Sequence, residues 1–331
     1  MTELQRIEPP APDAGALAPY QHPSMPSQHY AASASAPNTR RAYRADWTAF
    51  TAWCEQQGCA HLPAQPATVA NYLAACADGD ADHPPLAVAT LERRLVAIAR
   101  AHELAGHPSP SKDEWVRTVL KGIRRKRRAA QRRVAPIGVT VLRQALAALP
   151  ETLLGMRDRA LLLIGFCGAL RRSELVGLDV SDLQVVPEGL ILTLRRSKTD
   201  QEGEGILKGI PLGANAPTCP VRAAQAWLKA AGIKEGPLFR PIDRHGTVRS
   251  KRLNGSDIAV IVKRSVAAAG FDSDLYSGHS LRAGLATAAA GAGAPTYTIR
   301  RQTGHKTDRM LEIYIREGSL FRDNVVSLLG L

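Results

Sequence analysis

The chain has 331 residues, 45% of them hydrophobic, which is enough for two domains with separate cores. Its formal net charge of +13 predicts a polyanionic partner, either a nucleic acid or an acidic membrane surface. The sequence contains no apolar run long enough to cross a bilayer, so a membrane-spanning protein is excluded at this stage. Five cysteines without a Cys-x-x-Cys pair argue against a zinc site and predict reduced thiols in the cytoplasm.

The first part of the chain predicts a tail followed by a helical domain. Residues 1–37 hold seven prolines and few core-forming side chains, which is typical of a disordered tail. Residues 38–128 contain four stretches with helical periodicity, and His102 is placed on the inner face of the third. The fourth helix is predicted to start at a capping box of Ser111 and Glu114 and to carry an apolar stripe that includes Trp115.

Basic residues cluster at two places in this region and predict contacts with phosphates. One group lies at the start of the first helix, and a denser group leads into a basic linker at 129–136. The alternative for the denser group is a solvated helix end. The predicted DNA-binding residues are Arg40, Arg41, Arg44, Lys121, Arg124, Arg125, Lys126, Arg127 and Arg128.

Residues 137–331 predict a second domain that is mainly helical with a small β-sheet. Helices are expected over 139–149, 156–170, 256–269 and 281–290. Two apolar runs, 190–194 and 206–212, predict strands joined by a Gly- and Glu-rich turn. The chain after Gly318 carries an apolar stripe at helical spacing, Phe321, Val325, Leu328 and Leu329, that a short terminal helix cannot bury on itself.

Four short motifs in this second domain suit one chemistry, the attack of a tyrosine oxygen on a phosphodiester. They are the segments 168–175, 197–199, 279–282 and 304–316. Two guanidinium groups can bind the non-bridging oxygens, a histidine can accept the phenol proton, and a lysine can protonate the departing oxygen. With these cations present, neither a metal ion nor another cofactor is required.

The order and spacing of these motifs resemble the tyrosine recombinases, also called the phage integrase family. The resemblance covers roughly residues 38–331 and is strongest over 160–316. It implies a helical core-binding domain that clamps DNA, followed by an α+β catalytic domain. It also implies cleavage through a 3′-phosphotyrosyl intermediate without ATP, self-association in a tetrameric synapse on double-stranded DNA, possible accessory DNA-bending proteins, and a C-terminal helix that docks onto a neighbouring protomer or onto its own domain.

The resemblance also assigns roles to individual residues. Tyr314 is the nucleophile, Arg171 and Arg282 bind the phosphate, His279 accepts a proton or bonds the phosphate, and His305 donates to the phosphate. The adjacent Arg172 stands where the family often has an apolar residue, and Arg171 is preferred over it. Glu174 is expected to orient Arg171 or a histidine. Lys198 is the expected general acid, with a DNA-facing hairpin lysine as the alternative.

Three alternative functions stay open at the level of the sequence. A type IB topoisomerase or a hairpin telomere resolvase would use similar chemistry on one duplex. A DNA-binding regulator could keep the fold without catalysis. The filled motif positions favour a site-specific recombinase or integrase over all three.

Overall fold

The computed structural model describes residues 36–127, 134–195, 205–305, 307–318, 326 and 329. Residues 1–35 of the predicted tail, most of the basic linker, Arg128, the Lys198 motif and three of the four residues of the C-terminal stripe lie outside the described residues. The chain divides into two compact units, residues 1–131 and 132–331. Every helix among the described residues is too short or too polar to cross a membrane.

The described part of the N-terminal unit contains four α-helices around one hydrophobic core. They are α1 (Pro37–Gln56), α2 (Pro66–Asp78), α3 (Val88–Leu104) and α4 (Glu114–Lys126). Proline occupies the first turn of α1 and α2, where its fixed backbone angle suits a helix start and its missing N–H is not needed. His102 is fully buried, as its position in the sequence predicts. Its ring is satisfied on both sides, because Nδ1 lies 2.8 Å from the Ile98 carbonyl and Nε2 accepts from the Ala64 amide at 2.9 Å.

The expected start of α4 was wrong by two residues, and of the predicted apolar stripe Val119 and Ile123 pack against the core whereas Trp115 does not. Asp113, not Ser111, caps the helix, and its carboxylate accepts from the Trp115 amide at 2.8 Å. Trp115 is 59% exposed, while Val116 and Leu120 enter the core. A large apolar side chain such as tryptophan is readily assigned to the buried face when a helix is predicted from periodicity. Here Val116 and Leu120, which are one helical turn apart, define the buried face instead.

Some of the basic side chains in and just after α4 bond to other groups of the N-terminal unit. Arg124 forms an ion pair with Glu92 at 2.7 Å. Arg127 donates to the carbonyl oxygens of Ala77 and Leu86, so its guanidinium links the end of α4 to the end of α2 and to the segment that follows it. Counting cations in the sequence therefore overestimates how many are available to DNA.

The second unit is mainly helical with one small antiparallel sheet, which confirms the predicted fold class. Its helices and strands follow in chain order: α5 (Val139–Ala147), α6 (Leu153–Cys167), α7 (Arg172–Gly177), β1 (Leu183–Val186), β2 (Gly189–Leu194), β3 (Ile206–Pro211), α8 (Pro220–Ala231), α9 (Gly255–Ala268), α10 (Ser280–Gly291), α11 (Thr296–Thr303) and α12 (Glu312–Gly318). β2 lies between β1 and β3. Strand β1 was not predicted, because four residues with two exposed positions give almost no periodic signal.

The core of this unit is centred on α6 and reaches to α8, α9 and α10. Trp227 of α8 is fully buried and donates its indole N–H to the Leu238 carbonyl at 2.8 Å. Close backbone packing fixes α10 in the same core. A Cβ atom at Gly284 would lie 2.1 Å from the carbonyl oxygen of Ile137, and the Ile137 amide donates to Ser280 at the start of α10. The segment before α5 therefore lies directly on the helix that carries the His-x-x-Arg motif.

We expect Gly284→Ala to destabilise the second unit, because its new methyl group meets backbone and not a movable side chain. Overpacking of this kind costs roughly 1–3 kcal/mol or more, and thermal unfolding would measure the loss. Gly177→Ala is the matched control, because Gly177 ends α7 with nothing within 4 Å of a Cβ there. Equal stability of the two variants would contradict the close packing described for α10.

Candidate active site

A tight turn between α6 and α7 positions the first motif. Ala169 has a φ of +48°, a left-handed conformation that costs an alanine about 1–2 kcal/mol. Three consecutive carbonyls of this turn accept side-chain hydrogen bonds. Gln302 donates to Cys167 at 2.7 Å, Lys208 to Gly168 at 2.8 Å and Arg282 to Ala169 at 2.8 Å. Side chains from α11, β3 and α10 therefore hold the backbone that leads into Arg171.

Arg171 is the N-terminal cap of α7 and is gripped by Glu174. The Glu174 carboxylate accepts from the Arg171 amide at 2.8 Å and from its guanidinium at 2.5 Å. The carboxylate is almost completely buried, while the arginine side chain is 20% exposed. Arg171 also donates to the Gly304 carbonyl at 3.5 Å, next to His305. The ion pair thus fixes the direction of the guanidinium, as expected for Glu174 from its spacing.

Arg282 is 1% exposed, although it is charged. One of its terminal nitrogens bonds Ala169, and the other, Nη2, is buried without a hydrogen-bond partner among the described residues. Burial, with the nearby Arg171, lowers its pKa to about 10, so the group stays protonated at neutral pH. A buried, unsatisfied cationic donor is costly, and an anionic oxygen at this point would satisfy it.

Tyr314 and His279 meet across the site. The Tyr314 hydroxyl lies 3.3 Å from Nε2 of His279, which is within reach of proton transfer in a substrate complex. Burial, followed by the charges of Arg282, Arg172 and Arg171, lowers the pKa of His279. The imidazole is therefore neutral at physiological pH and can accept a proton.

The helix that carries Tyr314 is held against α10 by close backbone contact. A Cβ atom at Gly318 would lie 2.3 Å from the Thr287 carbonyl oxygen and 2.9 Å from the Gly291 amide nitrogen. Only a glycine allows α12 to lie this near. Because α10 begins directly after His279, this packing sets the separation of the tyrosine from the histidine.

His305 lies in the same site, with its ring centre 5.9 Å from that of Tyr314. Its Nδ1 is 2.7 Å from the hydroxyl oxygen of Thr303, and that hydroxyl donates its proton to the Ile299 carbonyl at 2.7 Å. The hydroxyl must then accept from Nδ1–H, which leaves Nε2 to face the site. Burial, together with the positive charges around it, lowers the pKa of His305 to about 4.

Lys208 belongs to the site, although its sequence position indicated only the return strand of the hairpin. It is 5% exposed on β3 and donates to the carbonyls of both Gly168 and Gln302. Burial, with Arg282 and Arg171 adding to it and Glu174 opposing it, lowers the pKa of Lys208 to about 8. Its place on the inner face of β3 was the available signal, because a lysine at a buried strand position needs partners.

The remaining predicted residues either belong to the N-terminal unit or lie outside the described residues. Lys198 and Arg128 are outside the described residues. Arg40, Arg41 and Arg44 are exposed near the start of α1, in the N-terminal unit. Lys121, Arg125 and Lys126 are exposed on α4. No group of histidine, cysteine and carboxylate side chains in the described ranges could hold a metal ion.

Comparisons with known proteins agree with this geometry. The sequence profile of the Phage integrase family matches residues 139–319, more than half of the chain. An integrase/recombinase XerD homolog from Selenomonas ruminantium is 41% identical over 309 residues, which cover 92% of this chain and 89% of the relative. The recombinase Cre of Escherichia phage P1 is 26% identical, with 81% of this chain and 80% of the relative covered.

Two solved structures share the fold at low sequence identity. XerH bound to a palindromic difH substrate in a post-cleavage complex has a TM-score of 0.58 at 16% identity, with 81% of this chain and 73% of XerH covered. A lambda integrase fragment, a dimer bound to a COC′ core site, has a TM-score of 0.57 at 17% identity, with 88% of this chain and 92% of that one covered. The family profile and the Selenomonas relative together show that this chain belongs to the phage integrase family.

Proposed function

We propose that this protein is a site-specific DNA recombinase that cuts and rejoins duplex DNA through a 3′-phosphotyrosyl intermediate. One observation carries the proposal: the Tyr314 hydroxyl stands 3.3 Å from a neutral histidine in a site with two arginines. A phenol has a pKa near ~10 and is a weak nucleophile until a base takes its proton. His279 supplies that base.

Arg171 and Arg282 bind the non-bridging oxygens of the scissile phosphate in this proposal. The unsatisfied Nη2 of Arg282 donates to one oxygen, and the guanidinium that Glu174 orients donates to another. These donors are fixed before the reaction, so they stabilise the charge of the transition state without rearrangement. Their charge is the reason that we expect no metal ion or other cofactor to be needed.

The chemical step exchanges one phosphodiester for another. The Tyr314 oxygen forms a bond to phosphorus, His279 accepts the phenol proton, and the bond from phosphorus to the 5′ oxygen breaks. The departing oxygen takes a proton from a general acid, for which Lys198 is our candidate. His305 can donate to the phosphate through Nε2 once it is protonated, and a bound anion raises its lowered pKa in that direction.

Rejoining reverses these steps with the 5′ hydroxyl of a partner duplex. The phosphotyrosyl bond conserves the energy of the phosphodiester, so ATP is not consumed. Exchange between two duplexes requires that protomers associate on DNA, and we propose a tetrameric synapse, with accessory DNA-bending proteins as a further expectation from the resemblance. Cytoplasmic localisation follows from a DNA substrate and is part of this proposal.

Tyr314→Phe should abolish covalent attachment to DNA and change binding affinity by less than about 1 kcal/mol, because only one oxygen is removed. A duplex nicked near the scissile phosphate traps the wild-type protein, and the adduct is measured on a denaturing gel in EDTA without nucleotide. Tyr297→Phe is the matched control, since Tyr297 is 65% exposed and fits no motif. Trapping of the Tyr314→Phe variant at the wild-type level would exclude Tyr314 as the nucleophile. A requirement for magnesium would exclude catalysis by side-chain charge alone.

Replacing Lys121 and Arg125 together by alanine should weaken binding to all DNA sequences alike. Both are exposed on α4 and form no ion pair in the described part of the chain. The slope of log affinity against log salt should become shallower by up to ~0.9 for each phosphate that the protein no longer neutralises. Arg127→Ala is the control, because its two carbonyl partners make it a structural residue that should lower the unfolding temperature. An unchanged salt slope would show that this face of α4 does not touch the DNA backbone.

Deleting residues 319–331 should preserve binding of one protomer to one site and impair cooperative assembly. The apolar stripe of this segment needs a groove, and we propose that a neighbouring protomer provides it. Native gels that separate one and two bound protomers measure the cooperativity. Cooperativity equal to that of the full chain would support docking on its own domain instead.

A further inference from the structure

A third arginine stands beside the site, and the roles proposed above do not use it. Arg172 is the first residue of α7 and its side chain is exposed. Its neighbour Arg171 is tied to Glu174, whereas Arg172 forms no ion pair within the described residues. Because no carboxylate among the described residues pairs with it, the guanidinium of Arg172 can bind an anion at the edge of this basic site.

The aliphatic part of the Arg172 side chain runs past two glycines, Gly278 and Gly255. A Cβ atom at Gly278 would lie 2.6 Å from Cδ and 2.7 Å from Cγ of Arg172. On the other side, a Cβ atom at Gly255 would lie 3.9 Å from Cβ of Arg172. Gly278 does not have a left-handed backbone, so its lack of a side chain serves space and not conformation. The stem therefore crosses the backbone immediately before His279.

This course brings the guanidinium close to the reacting pair. Among the charges that lower the pKa of His279, Arg172 ranks above Arg171 and below Arg282, after burial itself. The ring of His279 also faces the hydroxyl of Tyr314, and His305 lies near enough to interact with it electrostatically; the Ser277 hydroxyl accepts from the His279 backbone amide at 3.2 Å. Arg172 is thus an exposed cation near His279, whereas Arg282 is a buried cation near the same ring.

We propose that Arg172 binds the backbone phosphate next to the scissile phosphate on the cleaved strand. Arg171 and Arg282 bind the scissile phosphate in the proposed function, on which this inference rests. Each DNA strand carries a phosphate about every 3.4 Å along the helix axis, so a flanking phosphate must pass the edge of the site when the scissile one is bound. A single bond to that phosphate fixes the register of the strand against Tyr314 without reading sequence.

Binding to neutralised phosphates tests the pairing directly. Single methylphosphonates are placed at the scissile phosphate and, one at a time, at two phosphates on each side. Affinity is measured for Arg172→Met and for the intact arginine, both in the Tyr314→Phe background. Arg172→Met keeps the stem over Gly278 and removes the charge. We expect it to lower affinity for unmodified DNA roughly ten-fold, the size of one charged hydrogen bond. Methylphosphonate at one flanking position should cost the intact arginine a similar factor and cost the Met variant almost nothing.

A second variant tests the contact between Arg172 and the flanking phosphate by displacing the arginine side chain without removing its charge. Gly278→Ala keeps Arg172 but places a methyl group where the stem lies, and 3.1 Å from Cγ2 of the buried Ile258, so it should lose the same coupling to the same phosphate. Gly255→Ala, where the contact is an ordinary 3.9 Å, should keep it. Additive effects of Arg172→Met and methylphosphonate at every flanking position would overturn the proposal, and so would coupling at the scissile phosphate alone. Because binding is the readout, failure of Tyr314 as the nucleophile would be seen separately, in the trapping assay.

Discussion

Three carbonyl oxygens at the end of α6 form the point on which the site depends. Gln302, Lys208 and Arg282 each donate to one of them, and the three donors come from different elements. The same turn holds Ala169 in a left-handed conformation that the chain would not adopt alone. Because Arg171 follows Ala169 by two residues, these bonds position Arg171 through the backbone. They position Arg282 directly, because its own side chain makes one of them.

The charge balance of the site explains the direction of its pKa shifts. Arg171, Arg282 and Lys208 lie close together, and Glu174 compensates only part of their charge. Burial and these neighbours lower the pKa of Lys208 and of both histidines. All of these shifts would relax when a phosphate enters, since an anion favours every protonated form. The site is therefore arranged for an anion before one arrives, and in the proposed function this preorganisation would lower the barrier to phosphoryl transfer.

Sequence alone could identify most of the site because its chemistry restricts residue type. The motifs around Arg171, His279 and Tyr314 can be recognised in the sequence, and the structure brings these three residues together. Lys208 was not assigned: its inward strand position indicates that it needs partners, but the carbonyl oxygens it bonds come from segments distant in the sequence. The four-residue strand β1 and the cap at Asp113 were not predicted either. Tertiary packing decides these features, and it leaves little trace in local periodicity.

The separation of Tyr314 from His279 is set by backbone packing between α10 and α12. Gly318 lets α12 approach α10, and α10 begins directly after His279. Both contacts lie within the described residues, at or before Gly318. The distance between the Tyr314 hydroxyl and the His279 ring in this chain therefore depends on how closely α12 can lie against α10, and the missing side chain of Gly318 is what permits that approach.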